Sequence, residues 1–450
     1  MNFREYIPFY KRNLKVAVPV MLTHAGQITV QLADNIMVGH LGTAELAGVS
    51  FANSIIVLGL VFGIGFTQGI TPHIGQSFGK GDHNRVGQLL QNSLIMVFAA
   101  SILLTMTMFG LSFFMSSMGQ TDMVVSFGKE YYFTILFSMF PALIFFGMRQ
   151  FSEGIGITKY AMFITIFANL LNIFLNWVLI YGHFGIEPMS VKGAALATTI
   201  SRFVMLASFL VIFCKIDSYK RYLKYFTRPF INWKLVREVL NTSIPLSFQN
   251  LVEITAFSLS AIMIGWNGEI ALASHQVAMS MSSFSFMLAL GVGAAATIRV
   301  SHQYGYGDFK SMRIAGFAAI HLSVALMSIS GIAYIVFNNE IPHIFTSDPA
   351  VRSLAARLLI ISALFQIFDA IQLSCLACLR ALSDVKIPLL LSVISYYFIC
   401  LPLGYICGTV FSLGAVGVWI GLLLGLVFAA LLFLWRFNKI SNQLIKSHHF

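Results

Sequence analysis

Long apolar runs broken by short polar and basic segments set the pattern of this 450-residue chain. Twelve runs are long enough to cross the hydrocarbon of a bilayer, about 30 Å at a rise of about 1.5 Å per residue. They cover residues 14–36, 47–72, 88–112, 130–152, 159–181, 190–213, 240–265, 275–298, 311–336, 355–378, 388–409 and 413–435. None alternates with period two, so the pattern predicts helices and not the strands of a barrel. The first run follows a basic stretch, as a secretory leader would. It is long, however, carries Gln27, Gln31 and Asp34, and lacks a small-residue cleavage site, so it reads as an uncleaved transmembrane helix.

The runs form two copies. Shifted by 226 residues, IMVGHLGTAELAGVSFANS (36–54) lies over IMIGWNGEIALASHQVAMS (262–280). Pro19/Pro245, Gly65/Gly291, Thr71/Thr297, Gly79/Gly305, Gly81/Gly307 and Asp82/Asp308 keep the same register. A match held this long without a gap marks internal duplication. Each copy has an even number of spans, so both enter the membrane in the same direction. The expected fold is an all-α integral membrane protein with twelve transmembrane helices, in two six-helix lobes related by a pseudo-twofold around a central cavity. The expected division is an N-terminal lobe, 1–214, a cytoplasmic linker, 215–238, and a C-terminal lobe, 239–450. The linker is basic, aromatic and broken by Pro229, which reads as an amphipathic segment on anionic headgroups.

Composition agrees: 58% of residues are hydrophobic and 10% charged, against about 25% charged in a soluble protein. A net charge of +11 would suit nucleic acid, but its placement argues otherwise. With both termini cytoplasmic, 23 of the 28 Lys and Arg, including Arg4, Arg228 and Arg380, fall on the cytoplasmic side. Lys129, Lys192, Arg352 and Arg357 fall opposite, and Arg202 lies within a span. That asymmetry is an orientation signal. The five cysteines sit in or beside apolar runs and read as small hydrophobes; Cys375-x-x-Cys378 lacks the second pair that a metal site would need.

Three carboxylates lie well inside spans, where burial costs at least a few kcal/mol and marks function by default. Asp34 has Gln31 and Gln27 on its helix face; Glu253 has Asn250, Gln249 and Ser260; Asp369 has Gln366 and Gln372. The fifth span aligns Asn169, Asn172 and Asn176, and the eighth Gln276, Ser280 and Ser283, which serve equally as interhelical hydrogen bonds or as the lining of a cavity. Arg202 is the one clear intramembrane cation, too few to pair with three anions, so the carboxylates suit proton or hard-cation binding. His24 and His275 are not expected to carry protons. No G-x-x-x-x-G-K-[ST] loop is present, which leaves ion gradients to drive any transport.

Several stretches then carry a resemblance: LADNIMVGHLG (32–42), LLNIFLNWVLIYG (170–182), VEITAF (252–257), ASHQVAMSMSSFSFM (273–287), GVGAAATIRVSHQYG (291–305) and QIFDAIQLSCLACLRALSD (366–384). Together they resemble the MATE (multidrug and toxic compound extrusion) family, closest to its NorM-like branch. The resemblance implies a secondary active exporter in a bacterial cytoplasmic membrane, in which inward Na⁺ or H⁺ expels bulky, mostly aromatic cations by alternating access. It places Asp34 at the acidic position of the N-terminal lobe, with Asn172 and Asn176 in its network, and Glu253 and Asp369 at a cation site of the other lobe. Gln31, Gln249, Gln276 and Gln366 are the expected supporting amides. Phe365, one turn before Asp369, stands where the branch carries a tyrosine, which leaves Na⁺ against H⁺ open because a phenyl ring offers a cation only its face.

The expected partners are small organic cations and the bilayer, with no nucleic acid, no cofactor beyond the coupling ion, and a monomeric state. Two other readings fit less well. A flippase for lipid-linked oligosaccharides would need a cationic cavity, and a membrane-embedded enzyme would need clustered His and carboxylate ligands such as H-E-x-x-H, which the chain lacks.

Overall fold

The computed structural model describes residues 5–226 and 231–447; Arg4, Arg228 and Pro229 lie outside them. Among the described residues, twelve helices are long and apolar enough to cross a membrane: α1 (Ile7–Gly39), α2 (Thr43–Gly79), α3 (His83–Ser117), α4 (Asp122–Gly154), α5 (Lys159–Tyr181), α6 (Ser190–Lys215), α7 (Trp233–Gly265), α8 (Glu269–Tyr306), α9 (Phe309–Val336), α10 (Pro349–Ala381), α11 (Lys386–Val410) and α12 (Gly414–Ser447). Each coincides with one predicted span. Most extend several residues further, because a helix leaving the hydrocarbon needs hydrogen bonds but not apolar side chains.

The duplication extends to local geometry. α7 begins and ends 226 residues after α1. Asp82 caps α3 by accepting from the Arg85 N–H at 2.9 Å, and Asp308 caps α9 by accepting from the Ser311 N–H at 2.9 Å. Before each cap stands a glycine with positive φ, Gly81 at 74° and Gly307 at 79°, where a Cβ would be strained. α2 is interrupted at Gly69, where two α-helical segments meet.

Packing does not divide the chain at the linker. One compact unit is Leu22–Ser247; the other joins Met1–Met21 to Phe248–Phe450. The leading part of each lobe's first helix therefore packs with the other copy, and the break follows a proline, Pro19 or Pro245, by two or three residues. In the first unit Glu238 of α7 accepts both hydrogen bonds of an Arg85 nitrogen at 2.7 Å and lies 3.3 Å from His73. Thr242 bonds His73 at 2.9 Å, and Asn92 accepts the Asn232 N–H at 2.7 Å. In the second unit Asn13 donates to the Ala315 carbonyl at 3.2 Å and Tyr10 meets His321 at 3.0 Å.

The described part of the linker has structure of its own. A short helix, Asp217–Leu223, buries Tyr219 and Tyr222 completely in the Leu22–Ser247 unit. The Tyr219 hydroxyl bonds Ser152, and its ring stacks near Phe213 with centroids 4.8 Å apart. Burial pushes both phenols above the usual tyrosine range. The basic residues Lys220, Arg221 and Lys224 are exposed. Two aromatic anchors thus fasten the segment to protein.

Close helix approach depends on small residues, as it must where lipid gives helices no hydrophobic drive to associate. Ala295, Ala296, Ala315 and Ala319 are fully buried in one cluster with Ala17. A Cβ on Gly291 would come 2.8 Å from the Met21 nitrogen, and one on Gly69 would come 2.7 Å from the Ser243 nitrogen. Both neighbours are backbone and cannot swing aside. Gly291→Ala and Gly69→Ala are each expected to destabilise by about 1–3 kcal/mol, whereas Gly110→Ala, with nothing within 4 Å of its Cβ, leaves the protein unchanged. The fall in melting temperature of the three detergent-purified variants checks this.

Candidate functional site

In the unit containing Phe248–Phe450, α7, α10 and α11 bring Glu253 and Asp369 together. The two carboxylates lie within each other's electrostatic field. Asp369 is 5% exposed, while Glu253 is half-buried. The Tyr396 hydroxyl donates to Glu253 Oε1 at 3.4 Å and accepts from Gln372 Nε2 at 3.0 Å. Gln249, one turn before Glu253, donates to the Ser392 hydroxyl at 2.9 Å. Beside Tyr396, Tyr397 meets the Thr255 hydroxyl at 2.6 Å, so α11 meets α7 at three levels, Gln249, Glu253 and Thr255.

Two buried amide oxygens here lack a hydrogen-bond partner among the described residues, Gln249 Oε1 and Gln372 Oε1. Such orphans cost about 1–3 kcal/mol each and are rare unless something unseen satisfies them. Carboxylate, amide and phenol oxygens are hard donors, of the kind that bind Na⁺ or a proton and not a soft metal. Cys375 and Cys378 are free thiols buried in a separate apolar cluster with Ala319 and Phe437.

In the Leu22–Ser247 unit the acid is Asp34 on α1. Asn176 Nδ2 donates to its carboxylate. Turning the Asn172 amide so that its nitrogen faces Asp34 gives a second donor at 3.0 Å and lets its oxygen accept from the Thr198 N–H at 3.2 Å and hydroxyl at 3.3 Å. Arg202 lies in the field of Asp34 without forming an ion pair among the described residues; its guanidinium donates to Ser138 at 2.7 Å. Asn172 and Asn176 are both buried, which matches a role around the acid more than a role toward lipid.

Not every expected residue joins these clusters. Gln31 and Gln276 are exposed and make no side-chain hydrogen bond to the carboxylates. Sharing a helix face with an acid is not enough when that face is broad and only part of it meets a neighbour. Phe365 is 3% exposed, and its ring packs against Phe257 (6.1 Å) and Trp419 (5.7 Å), so it belongs to the apolar wall behind the site. His275 accepts the Trp419 indole N–H at 3.2 Å and is part of the same packing. His24 bonds Gln27 at 3.2 Å.

Three contributors escaped the sequence. Ser392 and Tyr396 stand four apart in an apolar span, a same-face spacing that could have flagged them. Arg380, placed on the cytoplasmic side by the charge pattern, lies in the last turn of α10, and Glu253 feels its charge. Its Nε has no partner.

Comparison with known proteins follows the same lines. The MatE family model matches residues 19–178 and 245–406, one match in each copy. The chain is 32% identical to the probable multidrug resistance protein NorM of Bradyrhizobium diazoefficiens, over 97% of this chain and 94% of that one. It is 30% identical to the multidrug resistance protein NorM of Vibrio cholerae, over 96% and 95%. In fold it matches the crystal structure of the eukaryotic MATE transporter AtDTX14 with a TM-score of 0.87 at 19% identity, covering 98% of this chain and 99% of that one. An outward-facing multidrug resistance MATE transporter of the MOP superfamily matches at 0.89 and 22%, covering 97% of both. With both copies matched and relatives of this similarity along nearly its full length, the chain belongs to the MATE family of membrane transporters.

Proposed function

We propose that this transporter exports organic, mostly cationic compounds in exchange for inward Na⁺ or H⁺, with both termini in the cytoplasm. The observation that carries the coupling is the pair of half-buried Glu253 and buried Asp369, in each other's field and flanked by amide oxygens without hydrogen-bond partners among the described residues. Two like charges in a low-dielectric site repel, and a bound cation or proton removes that repulsion. Asp34, held by Asn172 and Asn176, is the corresponding acid of the other unit. When these acids are loaded, the field that attracts a cationic compound is weakened; when they are empty, it is restored. Ion and substrate then oppose each other's binding, which is the condition for antiport. The names of the bacterial relatives, multidrug resistance proteins, support the same cargo class. Alternating access would carry the two in opposite directions.

Everted vesicles loaded by an imposed Na⁺ gradient or an imposed pH gradient are expected to take up a cationic dye under one of them. Glu253→Gln and Asp369→Asn should each lower the apparent cation affinity by about 30-fold or more, the equivalent of about 2 kcal/mol for one lost charged ligand. Dye uptake equal to wild type in both variants contradicts the proposal. Orientation is tested separately in a Cys214→Ser background. An impermeant thiol reagent on intact cells is expected to label Glu187→Cys and to spare Lys224→Cys, both exposed positions; the opposite pattern reverses the topology.

A further inference from the structure

We infer that Ser392 and Tyr396 of α11 are positioning residues that orient the cation-binding oxygens of this unit and thereby set the affinity for the coupling ion. The inference rests on the proposed Glu253–Asp369 cation site and concerns what shapes it.

The geometry is specific. Ser392 and Tyr396 are four residues apart, on one face of α11, and each is 1% exposed. Each engages the NH₂ of a glutamine and leaves the amide oxygen of that residue without a partner. Gln249 Nε2 is held by the Ser392 hydroxyl at 2.9 Å and its Oε1 is free; Gln372 Nε2 is held by the Tyr396 hydroxyl at 3.0 Å and its Oε1 is free. Gln249 stands one turn before Glu253, and Gln372 one turn after Asp369. The two glutamines therefore flank the two acids, and α11 pins both with oxygen unspent. An amide held by its nitrogen can offer a cation only its carbonyl oxygen.

Tyr396 does a second thing. Its proton goes to Glu253 Oε1 at 3.4 Å while its oxygen accepts from Gln372, so one neutral hydroxyl joins the helix of Glu253 to the helix of Asp369 without adding charge. Backbone geometry explains how it reaches. Residues Ile394–Cys400 form a π-helical turn, a widened stretch that alters the angular spacing of side chains and that occurs frequently at functional sites. Here the consecutive Tyr396 and Tyr397 both reach α7, at Glu253 and at Thr255. Phe365 contributes no oxygen and faces Phe257 and Trp419. The hydroxyl that its helix does not provide comes from α11.

The other copy is built differently at these places. α5 and α11 begin 227 residues apart, so the matching positions are Thr165 and Asn169; the Thr165 hydroxyl donates to the Ala161 carbonyl of its own helix, and the acid of that unit is Asp34 with asparagine donors.

The test is transport of a cationic dye by purified protein in liposomes, titrating Na⁺ at fixed pH and then pH at fixed Na⁺. For the ion that activates wild type, Tyr396→Phe is expected to shift the half-activating concentration by about tenfold (about one pH unit if the ion is H⁺), with the maximal rate within about twofold. Ser392→Ala is expected to shift it in the same direction by a smaller factor, and Ser392→Thr, which keeps the hydroxyl, to restore the wild-type value. Melting temperature without the ion should fall modestly in Tyr396→Phe and Ser392→Ala, each of which leaves a glutamine NH₂ unpaired, and stay near wild type in Ser392→Thr. A wild-type half-activating concentration in Tyr396→Phe, or a loss of maximal rate alone, overturns the inference. Should Glu253→Gln abolish coupling while Tyr396→Phe does nothing, only the positioning role fails; should Glu253→Gln transport like wild type, the proposed site fails with it.

Discussion

An ionised side chain in hydrocarbon costs at least a few kcal/mol, and every backbone polar group there must find its partner within the protein. Much of this molecule can be understood from that constraint. It forces the chain into uninterrupted helices and keeps charged residues to 10% of the total. It also makes each remaining intramembrane acid dependent on neighbours. Asp34 is answered by two asparagine amides, while Glu253 is answered by a phenol and by the distant charge of Arg380. These are incomplete answers. The oxygens of Gln249 and Gln372, without hydrogen-bond partners among the described residues, have the same incompleteness, and the cation site proposed above rests on it.

Duplication supplied the frame on which these sites were placed. Both use the first and fifth helices of a copy, α1 with α5 and α7 with α11. They occupy different levels of that pair. Glu253 corresponds to Gln27 and Asp34 to Ser260, while Asn172 and Asn176, counted from the starts of α5 and α11, correspond to Ile399 and Leu403. Helix bounds and caps repeat closely because they answer to backbone hydrogen bonding, which both copies share. Side-chain chemistry has drifted because each acid needs partners only at its own level.

The leading parts of α1 and α7 show a second use of small residues and fixed charges. Each lies against the other copy, one by Gly291 and Asn13, the other by Gly69 and the Glu238, His73 and Arg85 cluster. Backbone contact of this kind leaves no room for a side chain, and a charged cluster leaves little freedom in register.

What the sequence determined alone is what can be recognised within a single segment. Helix number and span follow from the length of apolar runs, duplication from a shared register, and Asp34, Glu253 and Asp369 from the local penalty of an acid in such a run. Tertiary structure decided the rest, because a helix face is the same whether or not a neighbour covers it. Gln31 and Gln276 share faces with the expected site and stay outside it, while Ser392 and Tyr396, unremarkable in an apolar span, become partners of Gln249, Gln372 and Glu253 only once α11 lies against α7. The exchange of leading helix segments between copies was equally hidden, since it depends on contacts between residues far apart in the chain, such as Arg85 with Glu238 and Asn13 with Ala315, and no periodicity encodes those.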